Sequence, residues 1–335
     1  MTSNQLISII IVNYNGKRWL KTCLDSVLAQ TYKNIEIILV DNASSDDSVA
    51  FVSGAYPQVQ IVRNPENHGF GKANNIGAAR ARGDVLFLLN NDTKSELDLL
   101  ERLLQFKVER RLSIVGPKIL DYEGKDIYEG KKVTIDVTGY LGWGGHTFYI
   151  EGSAFMISKA DFNKLRGFDE KYFMYSEDID LCWRALISGM TLGVCDTAMV
   201  SHYCGGTSAK SVVRSEEASD ARHVIPVFRR YEAEKNNLRN LLKNYSWMNL
   251  LWAVPLALFF VFGESVFYLF TRNFRMCGMI WKSVLWNVLN IGDTWRERRL
   301  VQGGRTVGDG LILKMMNFKP NKVRALLHVG IPEFK

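Results

Sequence analysis

The chain has 335 residues, of which 47% are hydrophobic and 23% charged. These values exclude a disordered tail, a collagen-like fibre and a disulfide-stapled miniprotein, and the length fits a large α/β domain with an appendage. Charge is uneven, because residues 1–205 carry 22 Lys/Arg against 25 Asp/Glu, whereas residues 206–335 carry 20 against 10. The basic second part therefore indicates a surface that meets phosphate groups, on lipid headgroups or on nucleic acid.

The cysteines and the N-terminus both indicate a cytoplasmic protein. No CxxC pair occurs among the five cysteines, as is typical of a reduced compartment. These cysteines are Cys23, Cys182, Cys195, Cys204 and Cys277. The first fifteen residues contain no cationic stretch and an apolar run of only about six residues, so no signal peptide is expected.

In chain order, apolar β-branched runs alternate with segments of helical periodicity. Strands are predicted over 7–12, 35–40, 58–62, 84–89, 154–158 and 193–196. Helices are predicted over 19–28, in a short segment after 45, and over 74–82, 177–189 and 229–245. Residues 118–152 are rich in glycine and aromatic residues and show no clear period. This alternation predicts βαβ units, and hence an α/β fold with a mainly parallel sheet and flanking helices.

Polar residues follow three of the predicted strands, where ligands bind in such sheets. Asn13 follows the first strand and Asp41 the second, where a carboxylate can accept hydrogen bonds from a nucleobase or ribose. The alternative for Asp41 is a helix N-cap. Asn90, Asn91 and Asp92 follow the fourth strand, and Asp92 can hold Mg²⁺ or Mn²⁺, although turns also favour these residues.

Two later signals are consistent with such a site. Residues 177–180 (EDID) place three acids at a predicted helix start. They suit either a general base that faces a cleft or a solvated first turn. His202 follows a strand-like segment and can complete a metal site or serve a structural role.

The segment from Asn67 to Gly77 contains a GxG that could be mistaken for a dinucleotide fingerprint. That fingerprint must follow the first strand, and here Asn74 stands in the place of its third glycine. The phosphate-binding Gly-Lys-Ser/Thr pattern is also absent. The segment is compatible with a loop packed tightly under a ligand or with a plain loop before a helix cap.

After residue 246 the sequence contains long apolar stretches flanked by basic residues. Residues 247–270 have about the length of a membrane span, but they include Pro255 and Glu264. A second apolar stretch over 276–291 contains Lys282. Basic residues flank both stretches, namely Arg272, Arg275, Arg296, Arg298 and Arg299. Three interpretations stay open: a helical pair in the plane of the membrane, a buried subdomain or oligomer interface, and a true crossing.

Taken together, the order and spacing of these motifs resemble glycosyltransferase family 2, the inverting nucleotide-sugar enzymes of the GT-A fold, and in particular its rhamnosyltransferase-like branch. The resemblance covers about residues 6–210. It rests on segments 8–15 (SIIIVNYN), 39–44 (LVDNAS), 67–70 (NHGF) with Asn75 and Gly77, 87–93 (FLLNNDT), 167–175 (GFDEKYFMY), 177–182 (EDIDLC), and His202 with 206–208 (GTS).

The resemblance implies roles for individual residues. Asp178 would be the catalytic base with Glu177 as its neighbour. Asp92 and His202 would hold Mg²⁺ or Mn²⁺, although Asn90 stands where the family's DxD motif has its first acid. The donor would contact Asn13, Asp41, Asn67, Gly69, Asn75, Asn90, Asn91, Gly152 and Arg184.

The resemblance also implies partners and a location. The donor would be a nucleotide sugar, with deoxythymidine-diphosphate rhamnose favoured and a uridine-diphosphate sugar possible, and the acceptor a glycan or a lipid-linked saccharide. A catalytic domain over 1–228 would precede a helical region over 229–335 that associates with the cytoplasmic face of the membrane and could also form a homo-oligomer. Nucleic acid is not expected as a partner. The alternatives are a nicotinamide-dependent oxidoreductase and a catalytically silent scaffold of the same fold.

Overall fold

The computed structural model describes residues 5–203, 224–225, 227–322 and 333–334. Cys204 and the predicted 206–208 segment lie outside this part of the chain. A central eight-stranded sheet has the order β3-β2-β1-β4-β9-β6-β10-β5. Its strands are β1 (Ile7–Asn13), β2 (Ile35–Asp41), β3 (Gln60–Arg63), β4 (Val85–Asn90), β5 (Thr93–Ser95), β6 (Ile114–Leu120), β9 (Ala154–Ser158) and β10 (Leu192–His202). A hairpin of β7 (Lys132–Ile135) and β8 (Leu141–Gly144) stands apart from it.

The sheet confirms the predicted α/β class, with more antiparallel pairing than the sequence pattern indicates. Strand β1 pairs in parallel with β2 and β4, β2 with β3, and β6 with β10. Strand β9 runs antiparallel to β4 and β6, and β5 runs antiparallel to β10. The continuous apolar run of β1 is explained by its central place, since both faces of a central strand are covered.

Helices cover both faces of the sheet. They are α1 (Lys17–Leu28), α2 (Ser48–Ala55), α3 (Gly69–Arg80), α4 (Leu99–Glu109), α5 (Lys159–Lys164), α6 (Glu177–Ile187), α7 (Val227–Asn244), α8 (Trp247–Phe270), α9 (Phe274–Leu289), α10 (Ile291–Gly303) and α11 (Asp309–Leu313). One buried core packs the sheet against α1, α2 and α4. The other packs the opposite face against α3 and α6 and continues into Leu241, Tyr245 and Leu250. The two predicted parts of the chain therefore share one hydrophobic core.

Helix α7 is attached by buried charges to the segment that carries Asp169 and to Asp180 of α6. The Arg239 guanidinium lies 2.9 Å from Asp169 and 2.8 Å from Asp293. The Lys243 ammonium lies 2.5 Å from Asp169 and 2.9 Å from Asp180. Burial opposes ionisation of Asp169, but the two neighbouring cations hold its pKa well below the usual range. Two of the positive charges in the second part of the chain, those of Arg239 and Lys243, are therefore paired with carboxylates inside the fold.

Helix α8 is long and apolar enough to cross a membrane by length and composition, and 28% of its most apolar stretch is buried. One face packs on the protein through residues such as Ala253, Ala257 and Val261. The same side carries Glu264, which pairs with Arg230 at 2.7 Å and Lys322 at 2.9 Å. The acid in the middle of the apolar run is thus neutralised by the protein.

The opposite faces of α8 and α9 expose large apolar side chains. Those at least half exposed include Leu251, Phe259, Phe262, Leu269, Phe270, Phe274, Leu285, Val288 and Leu289. We call this surface the apolar face. Arg272, Arg275, Lys282, Arg296 and Arg299 are exposed as well. Arg298 differs from the prediction, because it is buried and donates to the carbonyls of Leu242 and Tyr245 at 2.8 and 2.5 Å.

Candidate active site

The predicted donor-binding residues meet at the carboxyl edge of the sheet because three parallel strands end at the same level. In the register, Asn13 pairs with Asp41, and Val12 pairs with Asn90. The Asn13 amide donates to Asp41 at 3.3 Å, and the Asn91 amide donates to Asn13 at 2.8 Å. Asn13, Asp41 and Asn91 thus form one buried polar row.

Asp41 does not cap the next helix. Helix α2 begins at Ser48, whose backbone N–H and hydroxyl donate to Asp46. The Asp41 carboxylate accepts instead from Asn13 and from the backbone N–H of Ser44, at 3.3 and 3.2 Å. It therefore stays at the edge of the sheet, where the prediction places it.

Close packing at this edge requires a glycine. A Cβ on Gly16 would lie 2.1 Å from the Asn91 amide nitrogen and 2.5 Å from the Asn13 amide oxygen. Any larger residue would displace both side chains of the polar row. The turn after β1 therefore helps to set the positions of Asn13 and Asn91.

Strand β5 brings His202 to Asp92. Asp92 immediately precedes β5, which runs antiparallel to β10, and this pairing sets Thr93 opposite His202. His202 Nε2 consequently lies 3.2 Å from Asp92 Oδ1 and 3.3 Å from Asn90 Nδ2. Both side chains are nearly buried. The two residues assigned to a metal from sequence are 110 positions apart and form a contact pair.

The donor set of this pair fits a divalent cation. A carboxylate oxygen suits both Mg²⁺ and Mn²⁺, whereas an imidazole nitrogen is a ligand for transition metals, so the pair fits Mn²⁺ better than Mg²⁺. Ligands at right angles about 2.1 Å from a cation lie about 3.0 Å apart, close to the observed 3.2 Å. Within the described residues, no group of three His, Cys, Asp or Glu side chains converges.

The predicted base is also at this edge. The Gly152 N–H donates to Asp178 Oδ2 at 3.0 Å, and the Ile179 N–H donates to Asp178 Oδ1 at 2.8 Å. Gly152 is held close to Asn90, because the Asn90 N–H donates to the carbonyl of Ser153 at 2.8 Å. Helix α6 therefore presents Asp178 from its first turn toward the end of β4.

Burial and nearby acids alter the ionisation of this first turn. Burial raises the pKa of Asp178 to about 6, the Glu151 charge adds to the rise, and the two backbone N–H donors oppose it. Burial and the charge of Asp178 raise the pKa of Glu177 well above its usual range. One oxygen of Glu177 is buried without a hydrogen-bond partner. Burial therefore disfavours the charged form of both neighbouring carboxyls.

The loop that leads to Asp178 is held in an unusual conformation. We call residues 168–176 the base loop. Tyr175 and Ser176 both have positive φ, at 70° and 64°, which costs free energy for residues other than glycine. Asn236 of α7 donates to the carbonyls of Met174 and Tyr175 at 3.0 and 2.7 Å. Helix α7 thus fixes the loop that orients Asp178.

The predicted glycine-containing loop contacts the base loop rather than an open pocket. The Asn75 amide donates to the carbonyl of Phe168 and its oxygen accepts from the Phe168 N–H, both at 2.9 Å. Gly69 has a φ of 78°, and a Cβ there would lie 2.0 Å from the carbonyl oxygen of Phe173. Asn67 accepts from the N–H of Gly69. Any effect of these three residues on a donor is therefore indirect.

Arg184, which the resemblance assigns to the diphosphate, makes its contacts inside the fold. Its guanidinium donates to Asp180 at 2.8 Å, to the carbonyl of Gly167 at 2.9 Å and to the carbonyl of Leu165. The residue is buried. These contacts account for its three nitrogens and give it a structural role under the base loop.

Sequence analysis missed Glu151, which precedes Gly152. Its Oε1 lies 3.2 Å from His202 Nδ1, and its Oε2 accepts from the Tyr128 hydroxyl. Burial works against ionisation, but His202 and Tyr128 hold the pKa of Glu151 below its usual range. The nearby Trp19, Tyr122 and Tyr203 form an aromatic cluster beside the Asp92 backbone.

Comparison with known proteins gives a consistent assignment. The profile described as "Glycosyl transferase family 2" matches residues 8–180. The low-salt glycan biosynthesis hexosyltransferase Agl10 of Haloferax volcanii is 26% identical over 210 residues, which is 58% of this chain and 66% of that protein. Glycosyltransferase GlyG of Streptococcus pneumoniae is 27% identical over 159 residues, 47% of each chain. The chain thus spans about half to two thirds of these relatives.

Solved structures agree on the fold. GalNAc-T7 with UDP, GalNAc and Mn²⁺ superposes with a TM-score of 0.56 at 18% identity, covering 71% of this chain and 48% of that one. TarS of S. aureus superposes with a TM-score of 0.51 at 14% identity, covering 71% of this chain and 40% of that one. The central sheet with its flanking helices is therefore the GT-A arrangement.

Proposed function

This chain belongs to glycosyltransferase family 2, and from that premise we propose that it transfers a sugar from a nucleoside-diphosphate donor to a glycan or lipid-linked saccharide, with inversion at the anomeric carbon. One observation carries the proposal: Asp41, the Asp92–His202 pair and Asp178 meet at one edge of the sheet. These are the three parts that such a reaction needs, namely a nucleoside contact, a site for the diphosphate charge and a base.

The donor is expected to lie along the polar row. Asp41 and Asn13 would accept and donate hydrogen bonds to the ribose or base, and Asn91 holds Asn13 in place. Asp92 and His202 would hold a divalent cation against the diphosphate. Bound there, Mn²⁺ or Mg²⁺ would stabilise the charge of the leaving nucleoside diphosphate as a Lewis acid.

Asp178 is proposed as the base. Its carboxylate takes the proton of the acceptor hydroxyl while that oxygen bonds to the anomeric carbon and the bond from this carbon to the diphosphate oxygen breaks. The electron pair of the broken bond leaves with the diphosphate. Because one displacement occurs without an enzyme nucleophile, the anomeric configuration inverts, as in the single-step mechanism of inverting glycosidases.

The donor base and sugar are a finer part of the proposal. Deoxythymidine-diphosphate rhamnose is favoured by the resemblance of the motifs, and a uridine-diphosphate sugar is the second candidate, since GalNAc-T7 is described with UDP. A saccharide acceptor is supported by relatives whose names refer to glycan or O-antigen biosynthesis, namely Agl10 and the O-antigen biosynthesis protein RfbC of Myxococcus xanthus.

The location is proposed to be the cytoplasmic face of the membrane. The apolar face of α8 and α9 and the exposed arginines around it would enter one leaflet and meet anionic headgroups. This arrangement is favoured over a crossing because one side of α8 packs on the protein and its Glu264 is paired there. Self-association through the same face is the alternative.

The test is a thermal-shift panel on the full chain in mild detergent. UDP, dTDP, GDP, CDP and NADH are each added with and without MnCl₂. At one hundred times its dissociation constant a ligand stabilises by about 2.7 kcal/mol, which is readily measured. A metal-dependent shift with one nucleoside diphosphate is expected, followed by product NMR that shows the inverted anomer.

Asp92→Asn tests the proposed metal ligand. Asp84→Asn is its matched control, because Asp84 lies at the opposite end of β4 and is exposed. Asp92→Asn is expected to abolish the metal-dependent part of the shift, and Asp84→Asn to retain it. Stabilisation by NADH alone would favour an oxidoreductase. Nucleotide binding without sugar transfer would favour the silent scaffold.

A further inference from the structure

The imidazole of His202 is held from both sides. On one side Nε2 faces Asp92 Oδ1 at 3.2 Å, and on the other side Nδ1 lies 3.2 Å from Glu151 Oε1. Glu151 therefore contacts the nitrogen that points away from Asp92. It is positioned to act on the metal site through His202 and not as a third ligand.

The ring has a carboxylate beside each nitrogen, and a carboxylate can only accept. Glu151 therefore favours a proton on Nδ1, and a cation shared by Nε2 and Asp92 requires that Nε2 carry none. The Asn90 amide lies 3.3 Å from Nε2 and can donate to the lone pair left there. The lone pair of Nε2 and a carboxylate oxygen of Asp92 then face each other, an arrangement that a shared cation stabilises.

Glu151 is itself fixed. Its second oxygen accepts from the Tyr128 hydroxyl, and the Tyr128 ring packs on Trp143 with centroids 5.5 Å apart. The next residue, Gly152, is tied to Asp178 by the 3.0 Å hydrogen bond of its N–H. Tyr128 thus holds the carboxylate group of Glu151, and the hydrogen bond between Gly152 and Asp178 holds its backbone.

We propose that Glu151 is a positioning residue that fixes the Nδ1–H tautomer and the ring plane of His202, so that Nε2 and Asp92 are preorganised to bind a divalent cation. The inference rests on the proposed metal-dependent transfer and adds the residue that prepares the site. Partners that orient a metal-binding imidazole typically change metal affinity by about 10–100-fold when they are removed.

The first experiment measures the tautomer without metal. Long-range ¹H–¹⁵N spectra of the ring nitrogens distinguish Nδ1–H from Nε2–H, and the chain has five histidines. The His202→Ala variant identifies the His202 signals by difference. Nδ1 is expected to carry a proton in the wild-type chain, and Glu151→Ala is expected to lose it in favour of Nε2–H.

The second experiment measures Mn²⁺ binding by the electron paramagnetic resonance of free Mn²⁺. Glu151→Ala is expected to weaken binding by about 10–100-fold. Glu151→Gln should recover part of the loss, because the amide oxygen still accepts from Nδ1–H. Tyr128→Phe should fall between the wild type and Glu151→Ala, and the exposed Glu123→Ala should bind as the wild type does.

The outcomes separate the two levels of the proposal. An unchanged tautomer together with an Mn²⁺ dissociation constant within twofold in Glu151→Ala would overturn the role of Glu151. A wild-type chain that binds no Mn²⁺ would instead overturn the proposed metal site, and the tautomer spectra would still decide whether Glu151 orients the ring. Melting curves of each variant establish that the fold is retained.

Discussion

Asp178 is placed where a carboxylate is costly to ionise but still able to do so. Burial raises its pKa to about 6, and the N–H groups of Gly152 and Ile179 limit the rise. A base with this pKa is ionised at neutral pH yet holds a proton more readily than an exposed aspartate. Burial and the charge of Asp178 raise the pKa of the neighbouring Glu177, which disfavours a second negative charge beside the base.

The Asp178→Asn variant is therefore expected to lose transfer by about 10²- to 10⁴-fold, the usual contribution of a general base. Its melting temperature should change little, because the amide removes the cost of burying a charge but can accept from only one of the Gly152 and Ile179 N–H groups. Initial rates with saturating donor and acceptor measure the loss. The exposed Asp196→Asn serves as the control for the substitution itself.

The pH profile is the second part of this prediction. Asp178 acts in its ionised form, so the rate should rise with pH through about 6 and decrease about tenfold per unit below it. The residual rate of Asp178→Asn should lack this inflection. A profile that is the same in both proteins would assign the base to another residue.

Individual site residues were predictable where a simple rule applies. Asn13, Asp41 and Asp92 follow strands that end at one edge, and the rule for ligand sites in parallel sheets finds all three. The ion pair of Arg184 with Asp180 was not predicted, although a spacing of four on a helix favours one. Glu151 was missed because its partner His202 is 51 positions away and its own segment has no periodicity.

At the scale of elements, the base loop is clamped between α3 and α7. The first turn of α3 contacts it through Gly69 and Phe70, whose N–H donates to the carbonyl of Phe173 at 2.8 Å. Helix α7 contacts it through Asn236 and Asn240. Two elements far apart in the chain thus hold one strained loop in the form that presents Asp178.

Gly69→Ala tests this clamp. The new methyl group would require a positive φ of 78° and would lie 2.0 Å from a backbone oxygen, so α3 and the base loop must separate. We expect a loss of stability of about 1–3 kcal/mol, measured by urea unfolding. We also expect the transfer rate of Gly69→Ala to fall more than the rates of other variants that remain folded.

Gly54→Ala is the matched control, because Gly54 lies in helix α2 and an added methyl group there would have no atom within 4 Å. It should stabilise the chain by about 0.5–1 kcal/mol, as alanine does in helices. Equal effects of the two substitutions would show that contact with Phe173 does not matter.

The elements themselves were largely predictable from hydrophobic periodicity. The predicted start and end of α8, residues 247 and 270, agree with the structure, and α7 differs by two residues at its start. Strand β10 is longer than predicted and continues to His202, since its outer half carries polar residues that pair with β5. Helix α4 and strand β6 lie in a stretch for which no element was predicted.

At the scale of the whole molecule, the apolar face is an exposed surface of a kind that soluble monomers rarely carry. Replacement of Leu251, Phe259 and Phe262 by serine should lower partition onto vesicles that contain anionic lipid by about 10³-fold or more, because each of the three apolar side chains contributes about 1.5–3 kcal/mol when it is fully buried. Flotation in a density gradient measures the bound fraction.

The control replaces exposed apolar residues elsewhere, at Leu97, Val108 and Leu141, which should leave flotation unchanged. Salt should weaken the remaining binding, since exposed arginines contribute about 1 kcal/mol each near an anionic surface. Equal flotation of both triple variants would argue against the membrane role. A change in sedimentation without a change in flotation would favour self-association.

The buried charges between α7 and the catalytic part limit how this chain can be divided or recombined. A fragment that ends at residue 228 loses Arg239 and Lys243, so Asp169 keeps neither of the two cations of α7 and Asp180 keeps only Arg184. An unpaired buried charge typically costs several kcal/mol. A chimera that exchanges α8 and α9 between relatives must therefore take α7 from the same protein that supplies Asp169 and Asp180.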